Sequence, residues 1–129
     1  MSVHRMFSPE PDVGWDSTDP LAVAGRHARF CAVICACCAD ACAAEGMDMS
    51  ACVSACLDCA DICDATARLS TRGTGHNEET LRTVLESCAR VCALCASECE
   101  RHDFAACRLC AEMCRACEAD CQRAVLAAA

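Results

Sequence analysis

From residue 20 onward the apolar positions recur at steps of three and four, the period of an amphipathic helix, in four separate stretches. Asp19-Pro20 opens the first, with Asp as N-cap and Pro at the first helical position, where its missing N–H is not needed. The pattern runs to about Glu45, and Gly46 is available as a stop. Asp48 or Ser50 can cap a second stretch, which continues to about Thr71, ahead of the one clear loop, Arg72-Gly73-Thr74-Gly75. Asn77 caps the third, with Glu78 and Glu79 in the first turn where the helix dipole favours anions. Asp103 is the expected cap of the fourth, which leaves a residue or two between the last two helices. Short connections make successive helices antiparallel neighbours. The expected fold is all-α, an antiparallel up-down-up-down four-helix bundle over residues 19–129. Residues 1–18 are polar, broken by Pro9, Pro11 and Gly14, and without period, which reads as a flexible N-terminal arm.

Cysteine occupies the repeating positions. The string CxxxCxxCxxxC occurs four times without deviation: Cys31-Cys35-Cys38-Cys42, Cys52-Cys56-Cys59-Cys63, Cys88-Cys92-Cys95-Cys99 and Cys110-Cys114-Cys117-Cys121. At 100° per residue, steps of 4, 3 and 4 hold the sulfurs of one copy within an arc of roughly 60°, the stripe that carries the core residues of a bundle. Four helices closing around these stripes give a cysteine-lined core. Cys107, three residues before Cys110, continues the fourth stripe. Cys37 falls off the first stripe and reads as a small apolar residue at a flank.

Composition sharpens this picture. Eighteen of 129 residues are Cys, four are aromatic and none is Tyr, so the core is built of small residues. Acidic residues outnumber basic ones by 19 to 11, a net charge of −8 that argues against nucleic acid or an anionic membrane as partner. No stretch reaches 18 uncharged apolar residues, so no membrane span is expected. Met1 to Pro9 shows no apolar export segment, and a cytoplasmic address with reduced thiols follows.

Core packing alone does not account for the stripe, because Leu would bury more apolar area at roughly 25 cal/mol per Å² without the risk of oxidation. Structural disulfides are disfavoured in a reducing compartment. Metal binding remains, and soft thiolates select Cu(I), Zn or iron–sulfur clusters. Iron–sulfur sites gather loop cysteines around one centre, unlike a continuous helical file. Zinc with four thiolates carries 2 − 4 = −2, and a stack of such sites would bury a large negative charge. Cu(I) matched one to one with thiolates leaves the column neutral and accepts two ligands, so each CxxxC is a self-contained clip. Many identical ligand pairs suit storage of many ions per chain rather than catalysis, so no enzyme activity is expected. A zinc or heavy-metal buffer and, further off, a thiol oxidoreductase are the rival readings.

Four copies of this motif on an all-helical chain resemble the bacterial copper storage proteins, and the absence of an export segment resembles their cytosolic members. The resemblance implies a bundle filled with Cu(I) held mainly by CxxxC pairs, and a homotetramer. It implies as ligands the sixteen repeat cysteines and Cys107. The methionine-rich mouth of exported members is matched here only by Met47 and Met49.

The two ends of the expected tube differ. At one, His102 stands three residues beyond Cys99 and Met49 three before Cys52, so both extend their stripes toward Cys107 as candidate ligands at a mouth. At the other, Leu81, Val84, Leu85 and Val125 continue the stripes and seal them. His27, four residues before Cys31, lies on its stripe at that sealed end and is a further candidate ligand. His4 and His76 read as surface residues, and Met113 as ordinary packing. Asp40, Asp58, Asp61, Asp64 and Glu112 read as a solvated face.

Overall fold

The computed structural model describes residues 18–73 and 75–128; most of the expected N-terminal arm lies outside the described residues. Four helices follow one another: α1 (Pro20–Ala43), α2 (Ser50–Ser70), α3 (Glu78–Cys99) and α4 (Ala105–Ala127). No strand occurs among the described residues. Each helix packs on two others, α1 on α2 and α4, and α3 on α2 and α4, so the four close into a ring around one axis. Cys42 near the end of α1 touches Cys52 near the start of α2, and Cys63 in the second half of α2 touches Cys88 at the middle of α3. Cys99, ending α3, meets Cys52. Successive helices therefore run in opposite directions.

The helix starts follow local hydrogen bonding. Asp19 caps α1, its carboxylate accepting the Ala22 N–H at 3.2 Å, with Pro20 at the first position. Before α2, whose N-cap is Met49 rather than Asp48 or Ser50, the Asp48 carboxylate accepts both the backbone N–H of Ser50 and its hydroxyl, at 3.0 and 2.7 Å. Asn77 holds the N-cap of α3 without a side-chain cap bond, and its Oδ1 is buried and unpaired.

Two other expected boundaries move. The N-cap of α4 is Phe104, extended at φ −79° and ψ 145°, rather than Asp103. Phe104 packs against the core, and the Asp103 carboxylate accepts from Arg108 at 2.7 Å instead of capping. Gly46 is not the stop of α1 either. That helix ends at Ala44 in a right-handed conformation, and Gly75 has the only positive φ among the described residues, 81°.

Small residues let the helices approach closely. Ala24, Ala28, Ala39, Ala67, Ala89, Ala96, Ala111 and Ala124 are buried beside the cysteines, and Leu81 and Leu85 are the buried leucines. Gly25 on α1 lies so close to α2 that an added Cβ would stand 2.8 Å from the Ser70 Cβ. Thr66, fully buried, returns its hydroxyl to the Ile62 carbonyl at 2.7 Å, so it enters the core without an unpaired donor.

One helix meets the length and mean hydropathy of a membrane span, although Arg26, Arg29 and Asp40 interrupt its apolar run. Over an 18-residue window α1 has a mean hydropathy of 1.4 and is long and apolar enough to cross a membrane, because its Ala and Cys residues outweigh its few charges. The same helix puts Cys31, Cys35, Cys38 and Cys42 into the bundle interior, as a core helix does.

Candidate metal centre

The 4-3-4 spacing turns each cysteine stripe inward, and the ring of helices brings the four stripes together. All seventeen cysteines other than Cys37 are buried at 2% exposure or less, Cys37 is exposed, and all eighteen thiols are free. From the end formed by the α1–α2 and α3–α4 connections, the sulfurs follow one another without a break. Cys42 lies 3.5 Å from Cys107 and 3.7 Å from Cys52, Cys52 is 3.9 Å from Cys99, and Cys99 is 3.7 Å from Cys56. The path continues through Cys110 at 3.9 Å, Cys35 at 3.6 Å, Cys114 at 3.6 Å and Cys59 at 3.8 Å. It reaches Cys92 at 3.7 Å, then Cys63 at 3.6 Å and Cys88 at 3.8 Å. Cys95, between Cys56 and Cys110 at 3.9 and 4.0 Å, widens the middle of the column.

The CxxxC pairs do not stand apart from this network. Cys31–Cys35 and Cys59–Cys63 are 3.8 Å apart, Cys38–Cys42 3.9 Å, and Cys88–Cys92 and Cys110–Cys114 4.0 Å. Several contacts between helices are shorter. The clips Cys31–Cys35, Cys38–Cys42, Cys52–Cys56, Cys59–Cys63 and Cys110–Cys114 each have a third and fourth sulfur within reach.

Those sulfurs gather into overlapping quartets. Cys38, Cys42, Cys52 and Cys107 have ligand atoms all within 4.8 Å of one another, as do Cys38, Cys52, Cys56 and Cys99. Cys31 and Cys59 serve both the Cys63–Cys92 and the Cys35–Cys114 quartets, and Cys35 and Cys114 join a further one with Cys95 and Cys110. Discrete four-thiolate centres would compete for these shared ligands. A two-coordinate ion has no such conflict.

Thiol acidity follows from burial and mutual hydrogen bonding. Near the connecting loops, burial pushes the Cys107 thiol up to about 11 and raises Cys38 and Cys52 as well. Deeper in, neighbours move in opposite directions. Hydrogen bonds with Cys114, Cys117 and Cys35 lower Cys31, whereas bonds with Cys110 and Cys114 raise Cys35. A thiolate formed at one sulfur is held by S–H donors from the next, so the protons belong to the network rather than to single residues.

Both ends carry polar groups. At the loop end Met49 is buried among the thiols, and His102, half-buried, donates from Nε2 to the Glu98 carboxylate at 2.7 Å. The sulfurs around Cys107 are those of Cys38, Cys42 and Cys52. A cleft of about 590 Å³ alongside is lined by Cys99, His102, Asp103, Arg108 and Arg115. At the opposite end Leu81 and Leu85 are buried, as expected, together with Ala124, whereas Val84 and Val125 are only partly buried. Beside them the Asp120 carboxylate, 4% exposed, pairs with the Nδ1 of His27 on α1 and with Arg123 on its own helix. His76 is exposed, Met113 is partly buried against the core, and Asp40, Asp58, Asp61, Asp64 and Glu112 are exposed.

A family model described as "Copper storage protein" matches residues 17–126. The chain belongs to the copper storage protein family. Among solved structures it resembles the copper storage protein Ccsp of Streptomyces lividans loaded with 10 copper equivalents, with a TM-score of 0.82 and 41% identity over 92% of each chain. A cytosolic copper storage protein from the same organism, with five coppers, gives a TM-score of 0.80 and 42% identity, covering 83% of this chain and 92% of that one. A Ccsp variant with one histidine replaced by alanine gives 0.84 and 40%, covering 90% of this chain and 100% of that one. No curated protein sequence matches.

For this copper storage protein family member, sequence reasoning found the thiol column but missed the carboxylates behind the histidines. Glu98 was legible as the residue one turn before His102. Asp120 was not. It adjoins Cys121 at the flank of the stripe, where a charged residue normally faces water, and only the approach of α1 buries it.

Proposed function

We propose that the protein stores many Cu(I) ions in the cytosol as thiolates of the buried column. The ligands are Cys31, Cys35, Cys38, Cys42, Cys52, Cys56, Cys59, Cys63, Cys88, Cys92, Cys95, Cys99, Cys107, Cys110, Cys114, Cys117 and Cys121, with Met49 and His102 at the loop end. The unbroken, shared sulfur path carries this reading: it offers two-coordinate positions everywhere and isolated four-coordinate sites almost nowhere. Family membership and relatives described as copper-loaded and cytosolic support it. The role is sequestration, not catalysis, since the column repeats one ligand rather than setting unlike groups against each other.

A soft monovalent ion replacing a thiol proton keeps the interior neutral, and thiols that burial holds protonated, such as Cys38, Cys52 and Cys107, release a proton for each thiolate formed. Exposed Phe30, Val33 and Leu57 offer apolar surface to further copies of the chain, in line with a homotetramer. Anaerobic titration of the reduced protein in weak buffer, read by native mass and pH, tests the proposal. Uptake on the order of one Cu(I) per core cysteine, with about one proton released per thiolate formed, is expected. Saturation near four ions, with zinc preferred in competition, would establish the zinc-buffer reading instead.

A further inference from the structure

The copper column is framed by the same device twice. One turn outside the last cysteine of the α3 stripe, His102 is half-buried and its Nε2 is taken by Glu98, which is 17% exposed. One turn outside the first cysteine of the α1 stripe, His27 is half-buried and its Nδ1 is taken by Asp120, which is 5% exposed. Asp120 accepts only, so in neutral His27 the proton sits on Nδ1 and the Nε2 lone pair is left for a cation. A carboxylate holding one ring nitrogen of an imidazole is the support that fixes tautomer and orientation in metal sites. Arg123 occupies the other Asp120 oxygen, which locks the carboxylate further. On α1 the small buried Ala24 and Ala28 flank His27, and on α4 buried Ala124 follows Asp120 by one turn.

We propose that His27 forms a second copper port, a lateral one between α1 and α4 at the end opposite His102, and that Asp120 is its positioning residue. The inference rests on the storage reading. Cu(I) bound at His27 Nε2 passes to Cys31, whose Cβ lies about 5–6 Å away on the same helix face. The Cys31 thiol gives its proton to water, its thiolate replaces the imidazole, and the metal's oxidation state does not change. Cys31 then connects to Cys114 at 3.7 Å and so to the whole column. Metal can in this way enter or leave at both ends.

Chelator competition on the full-length reduced protein tests this. The protein is loaded anaerobically, mixed with an excess of an aromatic diimine that forms a coloured Cu(I) complex, and transfer is timed. His102→Ala alone should slow transfer but leave it measurable. Adding His27→Ala should slow it a further tenfold or so, the scale seen when a metal site loses a supporting group. His27→Gln keeps a hydrogen-bond donor for Asp120 without the imidazole and should be as slow as His27→Ala, whereas His27→Cys, a soft ligand, should restore the rate. Equal rates for the double variant and His102→Ala would overturn the port, and so would recovery in His27→Gln, which marks a structural role. Native mass of each loaded variant separates the two claims: full capacity with equal rates defeats the port alone, while a wild-type capacity near four defeats storage as well.

Discussion

At the loop end the column finishes in Cys42, Cys52, Cys99 and Cys107, with Met49 buried at the start of α2. At the far end it runs into Leu81, Leu85, Thr66 and Ala124, with Gly25 and Ser70 pressed together beside them. One end is closed by polarizable sulfur that can exchange ligands with an arriving ion. The other is closed along its axis by hydrocarbon and close backbone approach, which exclude water, while His27 stands to one side. A bundle that gives its central positions to thiols gives up the apolar area that leucines would bury there. The far end restores some of it. The comparison teaches that capacity and stability are supplied by different stretches of the same helices.

The strongest way to break this division is to exchange the losses. Leu85→Ala removes a side chain that is 2% exposed and should lower the stability of the metal-free protein by about 2–5 kcal/mol, with copper capacity unchanged. Cys107→Ala at the loop end should do the reverse, lowering capacity while shifting the urea midpoint far less. Urea unfolding and native mass on the same two variants check both halves. Loss of capacity in Leu85→Ala with normal folding would show that the ends are not separate.

Gly25→Ala probes the same end from the backbone side. Its new Cβ would meet the Ser70 Cβ at 2.8 Å, closer than side-chain carbons approach, so α1 and α2 must part. Overpacking of this kind costs about 1–3 kcal/mol. Ser70→Gly in the same chain should recover part of the loss, giving a non-additive double-mutant cycle; strict additivity would mean that the clash is not what destabilises.

These predictions depend unequally on sequence and structure. The column itself was readable, because the 4-3-4 spacing has one geometric consequence on a helix and four copies leave little choice of partner. Cys37 was placed outside it on the same argument, and it is exposed. The shared quartets were not readable: spacing along one helix says nothing about how four stripes interleave, and the idea of separate CxxxC clips gives way to contacts such as Cys42–Cys107 at 3.5 Å. Gly25 and Asp120 were hidden for the same reason. Their neighbours, Ser70 and His27, are distant in sequence and meet them only through helix packing.

Acidity offers a gentler test of the loop end. The folded protein holds Cys107 protonated up to about 11, above the ordinary thiol value, because burial penalises its thiolate. In the unfolded chain this thiol ionises first, so above the ordinary thiol range the folded state binds more protons and stability falls as pH rises. The contribution is complete below the unfolded value and is lost as pH climbs through about 11. Cys38 and Cys52 act in the same sense. Metal-free protein should therefore have a urea midpoint that declines on the alkaline side, and Cys107→Ala should flatten part of that decline. A midpoint that rises there would contradict a neutral, protonated resting core.

The smallest contrast lies in the caps, and it again separates the ends. Asp19 starts α1 at the far end and accepts the Ala22 N–H, satisfying a donor that no helical carbonyl can reach. Asp19→Ala should cost about 1 kcal/mol. Asp103 stands one residue too early to cap α4 at the loop end, and its exposed carboxylate meets only the half-exposed Arg108. A surface pair of that kind contributes little, so Asp103→Ala should stay within about 0.5 kcal/mol of the parent. If thermal unfolding showed Asp103→Ala to be the more damaging of the two, α4 would start at Asp103 in solution, as the sequence suggests. Phe104, the N-cap that packs against the core, would then move inside the helix and be released from that place.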